Sequence, residues 1–169
     1  MEFSLIQACA EHSFLMENLM QFYIYDFSEW LDLDVMEDGS FEKYKSVESY
    51  WKEAGKSAYL VKKENQYAGF ALVKTIDTND KSYNSIAEFF ILKRYRKQGL
   101  GKKVAFHIFN SHNGPWQVFQ LKQNKPAQVF WHKVVNEYTG GNFYGYFNEE
   151  KCFQEFESQV FTFPCHIPD

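Results

Sequence analysis

A turn with two glycines, Arg96-Lys97-Gln98-Gly99-Leu100-Gly101, joins an apolar run to an amphipathic one and constrains this chain more than any other feature. Before it, Ile86 to Leu92 is apolar except for Glu88, as expected of a central strand buried on both faces. After it, Gly99 to Ser111 carries Leu100, Val104, Ala105, Ile108 and Phe109 at helical spacing. A strand, a glycine turn and a helix in that order form an anion site. The first helical N–H groups have no partner inside the helix, and the helix dipole favours negative charge there. Gly99 and Gly101 let the backbone approach a phosphate without a Cβ in the way. Lys93, Arg94, Arg96, Lys97, Lys102 and Lys103 surround the turn with positive charge. The spacing is neither the dinucleotide G-x-G-x-x-G, since Val104 stands three residues past Gly101, nor a P-loop. Alone, so short a pattern is weak and is better read as a βα turn with a solvated basic rim.

The remaining periodicities supply the elements around that turn. Phe3 to Ala8 reads as a strand, and a helix follows from Glu11, with Leu15, Leu19, Phe22 and Tyr23 recurring at helical spacing. Asp32 to Ser40 reads as an acidic loop, and Phe41 to Ala54 as a second helix ended near Gly55. Ser57 to Lys63 and Tyr67 to Ile76 are strands across a polar turn, and Asp77 to Tyr83 is a loop. Trp116 to Leu121 is the strand after the glycine-turn helix. Pro126 suits the first turn of a further helix carrying Ala127, Phe130, Trp131, Val134, Val135 and Tyr138, which Gly140-Gly141 ends. Asn142 to Phe147 and Glu157 to Phe163 close the chain as strands. The order β-α-α-β-β-β-α-β-α-β-β is that of an α/β (α+β) domain, a mixed sheet with helices on its faces. At 169 residues the chain fits a single domain.

Charge and composition narrow the function classes. The first Lys or Arg is Lys43, so residues 1–42, with ten acids, carry −10, while eighteen bases against twelve acids give the remainder +6. Such a split is either a solvated acidic surface or two sites of opposite sign, one for an anionic cofactor and one for a cationic acceptor. The net charge of −4 and the acidic front argue against nucleic acid. No apolar run approaches the roughly 20 residues of a membrane span, and no secretory signal is visible. Three cysteines without C-x-x-C spacing and five histidines without ligand spacing argue against a disulfide framework and a metal site. A reduced, cytoplasmic setting is the expectation.

Ile91-x-x-x-x-Arg96-x-x-Gly99-x-Gly101 resembles the [R/Q]-x-x-G-x-[G/A] signature of the GNAT N-acetyltransferase superfamily. Asn124-x-x-Ala127-x-x-x-Trp131-x-Lys133 resembles that family's N-x-x-A-x-x-x-Y-x-K segment, on the next helix and in the right order. The resemblance implies a mostly antiparallel central sheet flanked by helices, with acetyl-CoA as co-substrate and no metal. It implies that Arg96, Lys97, Gln98, Gly99, Leu100, Gly101 and Lys102 hold the pyrophosphate, that Ile91 and Leu92 offer backbone groups to the pantetheine arm and thioester, and that Asn124 lines the cofactor or the helix start. It also implies a possible homodimer, for which no residue here argues. The chain departs from the pattern at Trp131, where the family often has a Tyr suited to protonating the leaving thiolate; an indole N–H is no workable acid. Trp131 is therefore expected to pack.

The chemistry needs a neutral amine, an oxyanion stabiliser and a proton acceptor. Backbone N–H groups near Ile91 and Leu92 suit the oxyanion. Glu88, the one charge in its strand, is the candidate general base, because burial raises a carboxyl pKa into a useful range. Its alternatives are to bind the acceptor's cation or to sit at the strand's solvent edge. On the acceptor side, Gln21 to Trp30 mixes aromatic and acidic residues, as suits a small cationic or polyamine-like amine. Tyr25 and Asp26 are the candidate binding residues, while Phe22 and Phe27 are expected to pack in the core. The rival readings are a CoA-binding module with lost or altered catalysis and an acetyltransferase of protein lysines or N-termini.

Overall fold

The computed structural model describes residues 2–44 and 47–158. Among the described residues seven strands form one sheet: β1 (Phe3–Gln7), β2 (Lys56–Lys63), β3 (Gln66–Asp77), β4 (Ser82–Ile91), β5 (Pro115–Leu121), β6 (Tyr144–Phe147) and β7 (Lys151–Glu157). Their spatial order is β1-β2-β3-β4-β5-β7-β6. Every neighbouring pair is antiparallel except β4 and β5. Between β2 and β3, Glu64 and Asn65 both adopt positive φ, 51° and 64°, so the turn's twist matches that of the strands it joins.

Helices cover both faces. α3 (Leu100–Ser111) and α4 (Lys125–Thr139) pack on one face around Phe109, whose ring lies 4.9 Å from Trp116 and 5.0 Å from both Tyr138 and Phe156. Burying each such ring contributes roughly 1.5–3 kcal/mol. On the other face, α1 (Ser13–Phe27) and the short α2 (Ser49–Lys52) bury Met16, Leu19, Met20 and Tyr50 against Leu60, Phe70 and Phe90. α4 starts as its sequence suggests: the Asn124 side chain caps it by accepting from the Ala127 N–H at 3.0 Å, with Pro126 in the first turn.

The architecture is the expected one, and three elements differ from their sequence reading. Phe41 to Ala54 is not a continuous helix: among the described residues of that stretch only Ser49–Lys52 is helical, and Phe41 to Tyr44 run outside regular structure. Phe41 gives its N–H to Gln21 Oε1 at 2.8 Å and accepts from Gln21 Nε2 at 3.3 Å, so tertiary bonds override the local helical preference. β4 begins at Ser82 because Thr78 and Lys81 close a tight turn, with Thr78 N–H donating to Lys81 C=O at 3.0 Å. A strand stands at Lys151–Glu157, ahead of the one expected from Glu157 to Phe163. Asn148 Oδ1 accepts from the N–H groups of Glu150 and Lys151 at 2.9 and 2.7 Å and reverses the chain at once. Residues 159–163 of that expected strand lie outside the described residues.

Candidate active site

Strands β4 and β5 are paired only at Asn84 and Trp116 and then part. Beyond that point the sheet opens into a cleft. A cavity of about 1040 Å³ fills it, running from the glycine turn past Glu88 to the end of α1.

The cleft exposes a strand edge. Leu92 N–H donates to Ala68 C=O on β3 at 2.8 Å, and Phe90 pairs with Phe70. By strand alternation the N–H groups of Phe89 and Ile91 point the other way, toward the cleft. Leu92 therefore differs from its expected role. Its N–H serves β3, its C=O accepts from Tyr95 N–H at 2.9 Å, and it does not line the cavity, whereas Ile91 does.

A β-bulge aims Glu88. Leu72 pairs with Glu88 and the next residue, Val73, with Ile86, so Ala87 has no opposite number on β3. Strict alternation would put Glu88 on the face of Ile86. Instead Ile86, Phe89 and Ile91 belong to the α3/α4 core, Ala87 and Phe90 to the α1 core, and Glu88 meets α1. Tyr23 of α1 donates its hydroxyl to Glu88 Oε2, and Tyr44 donates to Oε1 at 2.8 Å. Burial raises the Glu88 pKa; the two tyrosine hydroxyls and the charge of Lys74 oppose that rise without cancelling it. Burial and the adjacent carboxylate push both tyrosines above their usual range, so they remain donors. Neither tyrosine was singled out from the sequence. Tyr23 is indistinguishable from a packing residue on an amphipathic helix, and Tyr44 falls in the stretch misread as helix.

The glycine turn combines open amides with a braced backbone. Lys97 and Gly99 adopt positive φ, 59° and 78°, and α3 starts at Leu100. Gln98 braces the turn: it donates to Arg94 C=O at 2.8 Å and accepts from Lys63 Nζ at 2.6 Å. Leu100 is a buried core residue. Arg96, Lys97, Gly99, Gly101 and Lys102 line the cavity; Gln98 and Leu100 do not. Gly101 has a packing reason for being glycine, since a Cβ there would lie 3.2 Å from the Phe130 ring of α4. Asn124 lines the cavity while capping α4. Trp131 is 6% exposed and packs on Phe89 and Phe130, ring centroids 5.1 and 5.0 Å away. Turn, strand edge and basic side chains together fit a pyrophosphate carried on an extended arm.

On α1, Asp26 pairs with Arg96 of the turn and lies 3.4 Å from Lys93. Tyr25 is 61% exposed, outside the cavity, with Lys93 Nζ 5.7 Å from its ring centre. Glu88 and Asp26 thus share the cavity and Tyr25 does not join them. Phe27 lines the cavity beside Trp30, while Phe22 lies on the outer face of α1, 55% exposed, contrary to the expectation that it packs. Among the described residues no cluster of His, Cys, Asp or Glu could hold a metal ion, and no helix is long and apolar enough to cross a membrane.

The same architecture recurs in known proteins. An acetyltransferase from Thermus thermophilus superposes with a TM-score of 0.68 at 12% identity, covering 93% of this chain and 97% of that one. A Bacillus anthracis str. Ames protein assigned as a streptothricin acetyltransferase, in complex with acetyl coenzyme A, gives 0.58 at 14% identity, covering 93% and 98%. The ribosomal-protein-S18-alanine N-acetyltransferase of Escherichia coli gives 0.59 at 10%, covering 94% and 96%. Among proteins of curated function none matches the chain. The family model for the acetyltransferase (GNAT) family matches residues 19–135, from the middle of α1 to the second half of α4 and so across the whole cleft, and the chain belongs to that family.

Proposed function

We propose that this protein is an N-acetyltransferase that moves an acetyl group from acetyl-CoA to a primary amine, small and cationic, by direct attack of the amine on the thioester. The observation that carries the reading is a single cavity joining the glycine turn to Glu88. The amides of the turn, with Arg96, Lys97 and Lys102, would hold the phosphates. The Phe89 and Ile91 edge of β4 would align the arm, and an N–H from it would meet the oxyanion. Asn124, by fixing the start of α4, sets the opposite wall.

Glu88 receives the ammonium proton and so frees the nitrogen for attack. Its raised pKa makes it a better base than a solvated carboxylate. The new C–N bond forms as the C–S bond breaks. Trp131 offers the thiolate no acid, so its proton comes from water.

The test is the pH profile of CoA release. With Glu88 intact, kcat/KM should rise with pH through the raised carboxyl pKa. In Glu88→Gln the rate should fall roughly 10²-fold or more and that ascending limb should vanish. An unchanged profile would remove Glu88 from the base role.

A further inference from the structure

The acceptor half of the cavity has walls unlike the cofactor half. Ile24, Phe27, Trp30, Leu31 and Leu33 line it, and Tyr23 and Tyr44 flank Glu88 at its floor. Among the described residues only two carboxylates reach the cavity, Glu88 and Asp26. Asp26 is already engaged by Arg96 and Lys93. Glu88 is the one left for a cation. Lys74 of β3 also lines the cavity and acts electrostatically on Glu88. A second positive group on an acceptor would thus meet a lysine and apolar walls in place of a second carboxylate.

The segment that supplies Leu31 and Leu33 to the cavity agrees. Leu31, Leu33, Val35 and Met36 are exposed, at 39, 38, 57 and 43%, within six consecutive positions. Apolar exposure that concentrated marks a surface that apolar partners cover. Asp32 and Asp34 alternate with these residues, are exposed, and do not line the cavity. The acidic character of this segment is therefore turned to solvent, and the polyamine-like acceptor suggested by the charge split has no matching set of carboxylates inside.

We infer that the acceptor is a monoamine with an apolar or aromatic body, its single ammonium at Glu88 and its body against Phe27, Trp30, Leu31 and Leu33. This rests on the acyl-transfer reading above and names its substrate class. Glu88 takes one proton from the ammonium, the nitrogen bonds to the acetyl carbon, and CoA leaves as the thiolate. The product amide carries no charge at Glu88, so the ionic contact that recruited the amine is gone when the product leaves. Trp30 and Phe27 contribute apolar area and ring faces, which attract a cation best once it is desolvated.

The experiment measures CoA release from acetyl-CoA with phenethylamine, hexylamine, putrescine, spermidine and phenylalanine. For phenethylamine kcat/KM should exceed that for putrescine at least about tenfold, the scale set by an apolar body in an apolar pocket. Trp30→Ala should raise KM for phenethylamine several-fold with less effect on kcat, and Lys74→Glu should narrow the gap to the diamine. A higher kcat/KM for putrescine, spermidine or the zwitterion phenylalanine would overturn the inference. If no amine releases CoA, the transfer reading fails. The acceptor class is then read separately, by calorimetric titration of the same amines into CoA-saturated protein. Binding of phenethylamine ahead of putrescine would sustain it, and the reverse order or no phenethylamine binding would overturn it.

Discussion

Glu88 is the residue on which most of the chemistry turns, and its environment has a thermodynamic consequence that can be measured apart from catalysis. Its pKa is raised in the folded state, chiefly by burial, so the folded protein holds a proton at pH values where the unfolded chain has released it. The stability this contributes is fully present below the unfolded value near 4.5 and is lost as pH rises through the folded value. Glu88→Gln removes the titration while keeping an oxygen acceptor for a tyrosine hydroxyl. The variant should be more stable than wild type at neutral and alkaline pH, because it no longer carries a buried charge there. The difference should shrink toward pH 4.5, and urea unfolding across pH checks it. A lone charge in an apolar strand was visible in the sequence as a candidate. Its partners were not, because Tyr44 lies 44 residues away in a segment with no regular structure.

The elements that build the cleft depend on close backbone approach between β3 and β4. Gly69 faces Ile91 in register, and a Cβ at Gly69 would lie 1.9 Å from the Phe90 carbonyl oxygen. That oxygen is main chain and cannot move without separating the strands. Gly69→Ala should therefore cost about 2–3 kcal/mol in urea unfolding. It should also weaken acetyl-CoA binding, because the displaced edge is the one that carries the Phe89 and Ile91 amides; a variant with wild-type stability and affinity would contradict this. Regular elements with strong periodicity, such as α3, α4 and β5, were legible almost to the residue. The bulge at Ala87 was not, since no residue type at 86–88 demands an extra position. It arises from matching β3 to β4 while turning Glu88 toward α1.

At the scale of the whole molecule, the acidic front meets the basic remainder at the surface, where Glu17 lies 3.4 Å from Lys43, and beside the glycine turn, where Asp26 of α1 reaches Arg96 and Lys93. A carboxylate there opposes a bound pyrophosphate and occupies one of the turn's cations. Asp26→Asn should tighten acetyl-CoA binding about two- to fivefold at low ionic strength, with the gain shrinking as salt screens it. Fluorescence or calorimetric titration at two salt concentrations decides the matter. Weaker binding would instead mean that Asp26 orients Arg96 for the ligand. The other acids of the segment lie outside the cavity and, apart from half-buried Glu17, are exposed, which the summed charge of residues 1–42 did not reveal.

Local chemistry settled the identity of the elements and the glycine turn, because hydrophobic period, capping residues and positive-φ glycines act within a few residues of themselves. The Arg96 to Gly101 signature, the Asn124 cap and the buried Trp131 are of that kind. Only the folded molecule decided that β4 and β5 part after Asn84 and Trp116, that Glu88 faces α1, that Tyr23 and Tyr44 hold it, and that Asp26 answers to Arg96 while Tyr25 turns to solvent. Each of these depends on which distant segments come together, and such contacts are set by the packing of both faces of the sheet, not by the residues on either side of the position in the chain.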